Sequence, residues 1–188
     1  MAKLIYSAIA SVDGHVADSR GGFDWAVPGA EVHLSINDLM RPIGTHLYGR
    51  RLYEVMLGWA SPDLLIDPSP AVRDFAELWQ AADKVVYSTT MTPPTLPRTR
   101  LASSFDPDDV RALKASATAD LLIGGADLGG QAIVAGLVDE LHLYLVPMLV
   151  GGGTSALPVD VRLPITLLDQ QRFDDGTVHL HYGVQNPA

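Results

Sequence analysis

The sequence predicts a single α/β domain over residues 1–188, built on a mostly parallel sheet that ends in antiparallel strands. Two patterns predict this class. Short apolar runs alternate with segments of helical periodicity over the first two thirds of the chain. The last third alternates apolar with polar residues in 140–146 and 177–182, and Asp175-Gly176 stands before the second stretch as a hairpin turn. The antiparallel hairpin is therefore expected at the end of the chain.

The elements of the parallel part follow from local signals. Residues 4–10 are an apolar run typical of a buried strand. Ser69-Pro70 and Asp106-Pro107 each combine a capping residue with proline at the first helical position. The remaining predicted elements are helix 30–40, strand 45–48, helix 50–57, strand 84–88, strand 121–123 and a helix from Gly125 to about Ala135.

Composition excludes several classes of function. The chain has 13 basic and 22 acidic side chains, a net charge of −9, which disfavours nucleic acid and anionic membranes as partners. It has no cysteine, which rules out disulfides, thiolate nucleophiles and cysteine-ligated zinc. We find neither a signal peptide nor an apolar window long enough for a membrane helix, and therefore expect a cytoplasmic protein.

Gly124 and Gly125 carry the strongest functional signal. They follow the apolar strand 121–123 and open a helix that begins Ala126-Asp127-Leu128. Glycines let a phosphate approach the backbone, and a helix N-terminus offers unpaired N–H groups. The alternative is a tight strand-to-helix turn without a ligand. The sequence lacks the full Rossmann spacing and any Gly-Lys-Ser/Thr phosphate loop, which excludes a kinase or GTPase.

Two further segments end predicted strands. Gly49-Arg50-Arg51 places two cations where a helix begins, a position that usually favours acidic residues. Guanidinium groups that grip a nucleotide phosphate would explain them, and a solvated pair is the alternative. Ser88-Thr89-Thr90 offers hydroxyls at the end of strand 84–88. Because the carboxyl ends of parallel strands share one edge, the three segments are expected to converge there.

These motifs occur in the order seen in the dihydrofolate-reductase-like superfamily. More narrowly, the chain resembles the reductase domain of bifunctional riboflavin-biosynthesis deaminase-reductases and its stand-alone bacterial relatives. The segments that carry the resemblance are 11–14, 48–54, 88–90, 124–128, 136–143 and 147–153, so it covers nearly the whole chain. It implies a three-layer fold with helices on both faces of the sheet, an NADPH-dependent oxidoreductase and a homodimer.

The resemblance also assigns residues to the cofactor. Backbone groups of Gly124, Gly125, Ala126, Asp127 and Leu128 would hold the pyrophosphate. Gly49, Arg50 and Arg51 would approach the adenosine, with Ser88 and Thr90 near its 2′-phosphate. Leu52 stands where dihydrofolate reductases often carry a threonine.

Reduction of a C=N bond needs a proton source or an ordered water near the substrate nitrogen. Asp13 matches the Ser-x-Asp-Gly element of the riboflavin-type branch and is the first candidate, with Glu31 on the first helix second. A turn aspartate that bonds its own backbone is the alternative for Asp13. Trp25 would stack on a flat heterocycle, as the family implies, or simply pin its loop to the core.

The resemblance gives the expected substrate class as a pyrimidine or pterin-like heterocycle, typified by 5-amino-6-(5-phosphoribosylamino)uracil. A true dihydrofolate reductase is one alternative, and a non-catalytic nucleotide-binding or sensor protein is another. His142, His179 and His181 could suggest a metal site, but no carboxylate partner is evident in the sequence. We therefore expect these histidines on a solvated strand face and expect no metal.

Overall fold

The computed structural model describes residues 1–66, 69–92 and 96–186 and contains ten strands and five α-helices in those ranges. The strands are β1 (Leu4–Ser11), β2 (His15–Asp18), β3 (Ile43–Gly49), β4 (Asp83–Tyr87), β5 (Thr99–Ala102), β6 (Asp120–Gly124), β7 (Glu140–Val146), β8 (Gly153–Ser155), β9 (Ile165–Arg172) and β10 (Val178–Val184). The helices are α1 (Ala30–Met40), α2 (Arg50–Met56), α3 (Pro70–Ala81), α4 (Pro107–Ser116) and α5 (Ala126–Val134). Three 3-10 helices, Asp24–Ala26, Leu57–Ala60 and Pro62–Ile66, lie in the connections.

Eight strands form one sheet in the order β5-β4-β3-β6-β1-β7-β10-β9. The strands from β5 to β7 are parallel to their neighbours, whereas β10 runs antiparallel to β7 and β9 antiparallel to β10. The predicted fold class is therefore confirmed. Strands β2 and β8 form a separate two-stranded ribbon beside the carboxyl ends of β1 and β7.

Helices cover both faces of the sheet. On one face, α1 and α3 pack on Ile5 and Leu122 through Met40, Phe75 and Trp79. On the other face, α4 and α5 bury a larger apolar cluster. It contains Leu121 and Ile123 of β6 together with Leu4 and Tyr6 of β1. Alternation along each strand thus supplies both layers of core, as the period of a strand requires.

Helix α1 has the predicted bounds, and α3 and α4 begin at the predicted prolines. The sequence did not reveal β2, β5, β8 or β9. Strand β9 carries Leu167 and Leu168 side by side and is exposed along its whole length, so it shows no alternation of buried and exposed residues. In the part of the chain that the structure describes, no helix combines the length and apolar character required to cross a bilayer.

Candidate functional site

The three segments that the sequence singled out lie side by side at the carboxyl edge of the sheet. Strands β4, β3 and β6 are neighbours, and Tyr48 of β3 pairs with Gly124 while Gly49 pairs with Tyr87. The glycine turn, the arginine pair and the Ser88–Thr90 hydroxyls therefore follow directly from three adjacent strand ends. This is the edge at which open α/β sheets bind ligands.

The glycine turn has specific backbone requirements. Gly125 has φ of +92°, a conformation that glycine adopts without strain, and it is the N-cap of α5. A Cβ on Gly124 would lie 2.7 Å from Leu52 Cδ2, so glycine also lets α2 pack closely on this turn. No side chain of the described residues caps α5, so the N–H groups of Ala126, Asp127 and Leu128 face the edge without an intrahelical acceptor.

Gly129, one turn further along α5, is a residue that the sequence analysis missed. A Cβ at this position would overlap the ring of Tyr6, which is fully buried in β1 and whose hydroxyl donates to the Ala156 carbonyl. Glycine therefore permits α5 to lie directly on β1. The Gly-Gly pair at 129–130 was a visible signal for such a close approach.

The two arginines open α2 and are both exposed. Arg50 lies 3.8 Å from Glu54 one turn later, a long contact at an exposed site. Arg51 has no ion pair with any described residue, so its guanidinium is available to an anionic ligand. An acidic first turn is absent from α2, which leaves the positive end of the helix uncompensated.

Ser88 and Thr90 differ in their surroundings. The Ser88 hydroxyl oxygen accepts hydrogen bonds from the N–H groups of Thr90 and Met91 at 3.2 and 3.1 Å and thereby holds the turn after β4. Thr90 is exposed. Ser88 thus shapes the loop, and Thr90 presents a hydroxyl to solvent at the same sheet edge.

Asp13 connects two loops at the ends of β1 and β7. Its carboxylate accepts from the N–H groups of Val150 at 3.2 Å and Gly151 at 2.8 Å. The Ser11 hydroxyl and these N–H groups lower the pKa of the Asp13 carboxyl from its ordinary value to about 2. Asp13 is therefore ionised at neutral pH, and its carboxylate bonds a distant loop as well as groups of its own turn.

The loop that Asp13 holds comprises residues 148–153, one of the segments that carry the family resemblance, and the sequence predicted no role for it. It contains the consecutive glycines Gly151, Gly152 and Gly153, each with positive φ. Val12 N–H donates to the Met148 carbonyl at 3.0 Å, which adds a second tie to β1. The run of three glycines was the available sequence signal for a loop of unusual backbone conformation.

Glu31 lies in a different place from Asp13. It is in the first turn of α1, where its carboxylate accepts from Asp174 N–H at 3.2 Å in the β9–β10 turn. It lines an open groove of about 380 Å³ together with Ser35, Asp38 and Arg172. No described hydrogen bond or ion pair joins Glu31 to Asp13 or to the glycine turn.

Trp25 is half-buried in the short helix Asp24–Ala26, which packs beside β1. Its indole N–H is buried and has no hydrogen-bond partner among the described residues. A buried donor without an acceptor is costly, so it marks a position where a ligand acceptor fits. Exposed apolar side chains occur on the loops that follow β1 and β7 and on either side of Trp25 in the chain: Val12, Phe23, Val27, Met148 and Leu149.

The expectation of a solvated face is wrong for His142 and His179, whereas His181 is partly exposed. His142 and His179 are only 6 % and 9 % exposed. Glu140 also lies next to them and provides the carboxylate that was not evident in the sequence. The reason is the register of the sheet, which sets β10 beside β7 with His181 opposite His142.

Comparison with known proteins finds relatives that match nearly the whole chain. The family model described as RibD C-terminal domain matches residues 2–179. The chain is 25% identical over 183 residues to the uncharacterized protein YyaP of Bacillus subtilis (strain 168), covering 96% of this chain and 94% of that protein.

Solved structures share the fold. A putative riboflavin biosynthesis protein from Shewanella sp. PV-4 superposes with a TM-score of 0.76 at 23% identity, covering 98% of this chain and 99% of that one. A deaminase/5-amino-6-(5-phosphoribosylamino)uracil reductase from Thermotoga maritima superposes with a TM-score of 0.66 at 15% identity, covering 98% of this chain and 57% of that chain. Dihydrofolate reductase from Enterococcus faecalis, complexed with NADP(H), gives 0.62 at 13% identity over 97% and 96%.

Proposed function

Because the chain belongs to the family of RibD C-terminal domains, we propose that it is an NADPH-dependent reductase of a pyrimidine or pterin-like heterocycle. The observation that carries the proposal is the convergence of Gly125, the N-terminus of α5 and the unpaired Arg51 on one sheet edge. In the proposed reaction a hydride passes from the nicotinamide to a C=N bond, and a proton reaches the nitrogen.

The residues at this edge fit a dinucleotide phosphate. Uncapped N–H groups of Ala126, Asp127 and Leu128 would donate to the pyrophosphate, which the positive end of α5 also favours. The guanidinium of Arg51 would pair with the 2′-phosphate, with the Thr90 hydroxyl beside it. Bound NADPH would supply the hydride.

Asp13 would act as a carboxylate in this reaction. Because its pKa is about 2, it does not carry the transferred proton at neutral pH. It would instead accept a hydrogen bond from a substrate N–H or from the water that delivers the proton, while its bonds to Val150 and Gly151 keep the loop in place. With Asp13 ionised, Glu31, which lines a separate groove with Ser35, is the remaining side chain proposed as the proton source.

Trp25 would bind the heterocycle. Its ring offers an apolar face, and its buried N–H offers a donor that no described residue uses. A ribose phosphate on the substrate would need a cation nearby. Arg41 and Arg98 form ion pairs with acidic neighbours, whereas Arg20, which lies near Asp18, forms none among the described residues and is exposed in the loop that leads to Trp25. Arg20 is therefore our candidate for that phosphate.

The test is NADPH oxidation by the purified protein with 5-amino-6-(5-phosphoribosylamino)uracil, or with dihydrofolate, as acceptor. We expect turnover with the pyrimidine and a loss of at least tenfold in kcat/KM in Trp25→Ala and Arg20→Ala. Arg111→Ala, on the far helix α4, is the matched control and should retain full activity.

The outcomes separate the alternatives. Turnover of dihydrofolate alone would make the protein a dihydrofolate reductase. Tight NADPH binding without oxidation by any pyrimidine, pterin or flavin would favour a nucleotide-binding or sensor protein and contradict the proposed reaction.

We also propose that two copies associate through β9. This edge strand exposes Ile165, Leu167 and Leu168 by 41, 48 and 54 %, and its outer backbone groups are unpaired among the described strands. A second copy of the same strand would cover the apolar side chains and pair with the backbone groups. Light scattering should show a dimer that Leu168→Lys converts to a monomer. The control Val134→Lys, on α5, should leave the dimer intact. A monomeric native protein would contradict this proposal.

A further inference from the structure

A cluster of imidazoles and one carboxylate lies at the end of the sheet opposite the candidate site. Glu140 and His142 are near the beginning of β7, and His181 is directly opposite His142 on β10. One ligand atom from each of the three residues lies within 4.8 Å of the other two. Their side chains share the face that α1 and α3 cover elsewhere, since Leu141 and Leu143 point to the opposite core.

The free nitrogens of this cluster converge on one oxygen. Glu140 Oε2 lies 3.2 Å from His181 Nε2 and 3.7 Å from His142 Nε2. Both Nε2 atoms are buried, and neither makes a hydrogen bond of acceptable geometry with a described residue. His142 as a whole is more than nine-tenths buried, so its unsatisfied nitrogen is not compensated by solvent.

The other polar atoms of His142 and Glu140 are already held. His142 Nδ1 lies 3.0 Å from His179 Nε2, and Glu140 Oε1 accepts from the Lys3 ammonium at 2.7 Å. When the Nδ1–H of His142 donates to His179, its Nε2 carries the lone pair and faces Glu140. Outer contacts of this kind fix the tautomer and orientation of metal ligands.

The electrostatic surroundings also favour a cation, because Glu140 places a carboxylate beside the two imidazoles. Asp169 of β9, opposite His181, adds a further negative charge beside the histidines.

We propose that Glu140, His142 and His181 form a binding site for one divalent transition-metal ion of the Zn²⁺ class. Two imidazole nitrogens and a carboxylate oxygen are ligands that Zn²⁺ and Co²⁺ accept, with water in the fourth position. Tetrahedral Zn²⁺ holds its ligand atoms roughly 3.3 Å apart, a spacing derived from its usual bond lengths. Two of the three separations between ligand atoms are 3.2 and 3.7 Å, and all three atoms lie within 4.8 Å of one another. The His142 and His181 rings are stacked with their centroids 4.0 Å apart, so these side chains would rotate out of the stack to close on an ion.

The site is accessible and separate from the proposed reductase chemistry. The His181 and Lys3 side chains are partly exposed, which gives an ion a route from solvent. The nucleotide edge lies at the carboxyl ends of β3, β4 and β6, whereas the cluster lies at the beginning of β7 in the same sheet, so the ion has no part in the proposed hydride transfer. An ion here would tie β10 to β7 and to the start of β1 through Lys3.

The test uses tag-free, chelator-treated protein with Co²⁺ as spectroscopic probe and Zn²⁺ in calorimetry. We expect visible absorption bands of four-coordinate Co²⁺, one Zn²⁺ per chain and a rise in Tm. His181→Gln should weaken Zn²⁺ binding at least tenfold, whereas His33→Gln, a half-buried histidine on α1, should leave it unchanged. The absence of Co²⁺ bands from the wild-type protein, or equal Zn²⁺ affinity in His181→Gln, would overturn the proposal.

Discussion

Replacement of Gly129 by alanine probes how α5, and with it the phosphate-binding turn, is seated on the sheet. The added Cβ would overlap the edge of the Tyr6 ring. This ring cannot turn aside cheaply, since it is fully buried and its hydroxyl is bonded to the Ala156 carbonyl. The helix must therefore move away from β1, or Tyr6 must give up its hydrogen bond.

The adjacent residue is a matched control. Gly130 is also within α5, but its added Cβ would meet only Pro158 Cβ at 3.5 Å, an ordinary contact. Alanine improves on glycine in a helix by about 1 kcal/mol. Overpacking a core costs about 1–3 kcal/mol of unfolding free energy, and because the Tyr6 ring is rigid we expect a cost near the upper end of this range at Gly129. We expect Gly129→Ala to lose about 2 kcal/mol of unfolding free energy and Gly130→Ala to gain about 0.5–1 kcal/mol.

Urea unfolding with thermal melting measures both variants. For a chain of this length the expected Tm changes are roughly −4 to −8 °C for Gly129→Ala and roughly +2 °C for Gly130→Ala. A double variant, Tyr6→Leu with Gly129→Ala, should recover part of the loss, because the smaller side chain vacates the overlapped space. Equal effects at the two glycines, or strict additivity in the double variant, would refute the close contact of α5 with β1.

Three more changes test other parts of the structure. Asp13→Asn should remove a stabilising contribution that the wild type retains above about pH 4 and loses as the pH falls toward 2, because the folded-state pKa of Asp13 is depressed. Acid unfolding curves of the two proteins should therefore differ above pH 2 and converge below it. Asn37→Ala should cost about 1–3 kcal/mol in urea unfolding, since its fully buried amide bonds two acceptors on α3, and an unchanged midpoint would contradict that link. Lys114→Met should cost a similar amount, roughly 1–3 kcal/mol, because Asp139 loses its ammonium partner and the Leu137 carbonyl loses its donor. Adding Asp139→Asn to this variant should recover part of the loss in urea unfolding, and no recovery would contradict the role of the ion pair.

The strand and helix order was predictable because each element carries a local signal. Leu121-Leu122-Ile123 is apolar on both faces, as a strand covered by helices on both sides requires. Pro70 and Pro107 mark the starts of α3 and α4. Strand β9 has no such signal, since all of its residues are exposed and its place is set by pairing with β10.

The candidate site was predictable only as far as strand ends determine it. Gly49, Ser88 and Gly124 follow three strands that proved to be neighbours, so parallel topology was sufficient to group them. The tie between Asp13 and the loop at Gly151 spans 138 positions and depends on how β1 and β7 pair. No local pattern contains that information.

The histidine cluster shows the same limit more sharply. His-x-His in β10 and the separate His142 were visible in the sequence, but the role of Glu140 depends on the register between β7 and β10. A shift of one residue in that pairing would send His181 to the opposite face. Long-range register therefore decides whether these residues form a site.

The central claim is that the edge formed by Gly125, α5 and Arg51 binds NADPH. Parallel titrations with NADPH and NADH, followed by quenching of tryptophan fluorescence, test it most directly. We expect NADPH to bind at least tenfold more tightly than NADH, and Arg51→Ala to lose roughly ten- to hundredfold in NADPH affinity, the value of one charged hydrogen-bonding group. Arg111→Ala should bind as the wild type does. Absence of binding by either nucleotide, or an affinity unaffected by Arg51→Ala, would contradict the account.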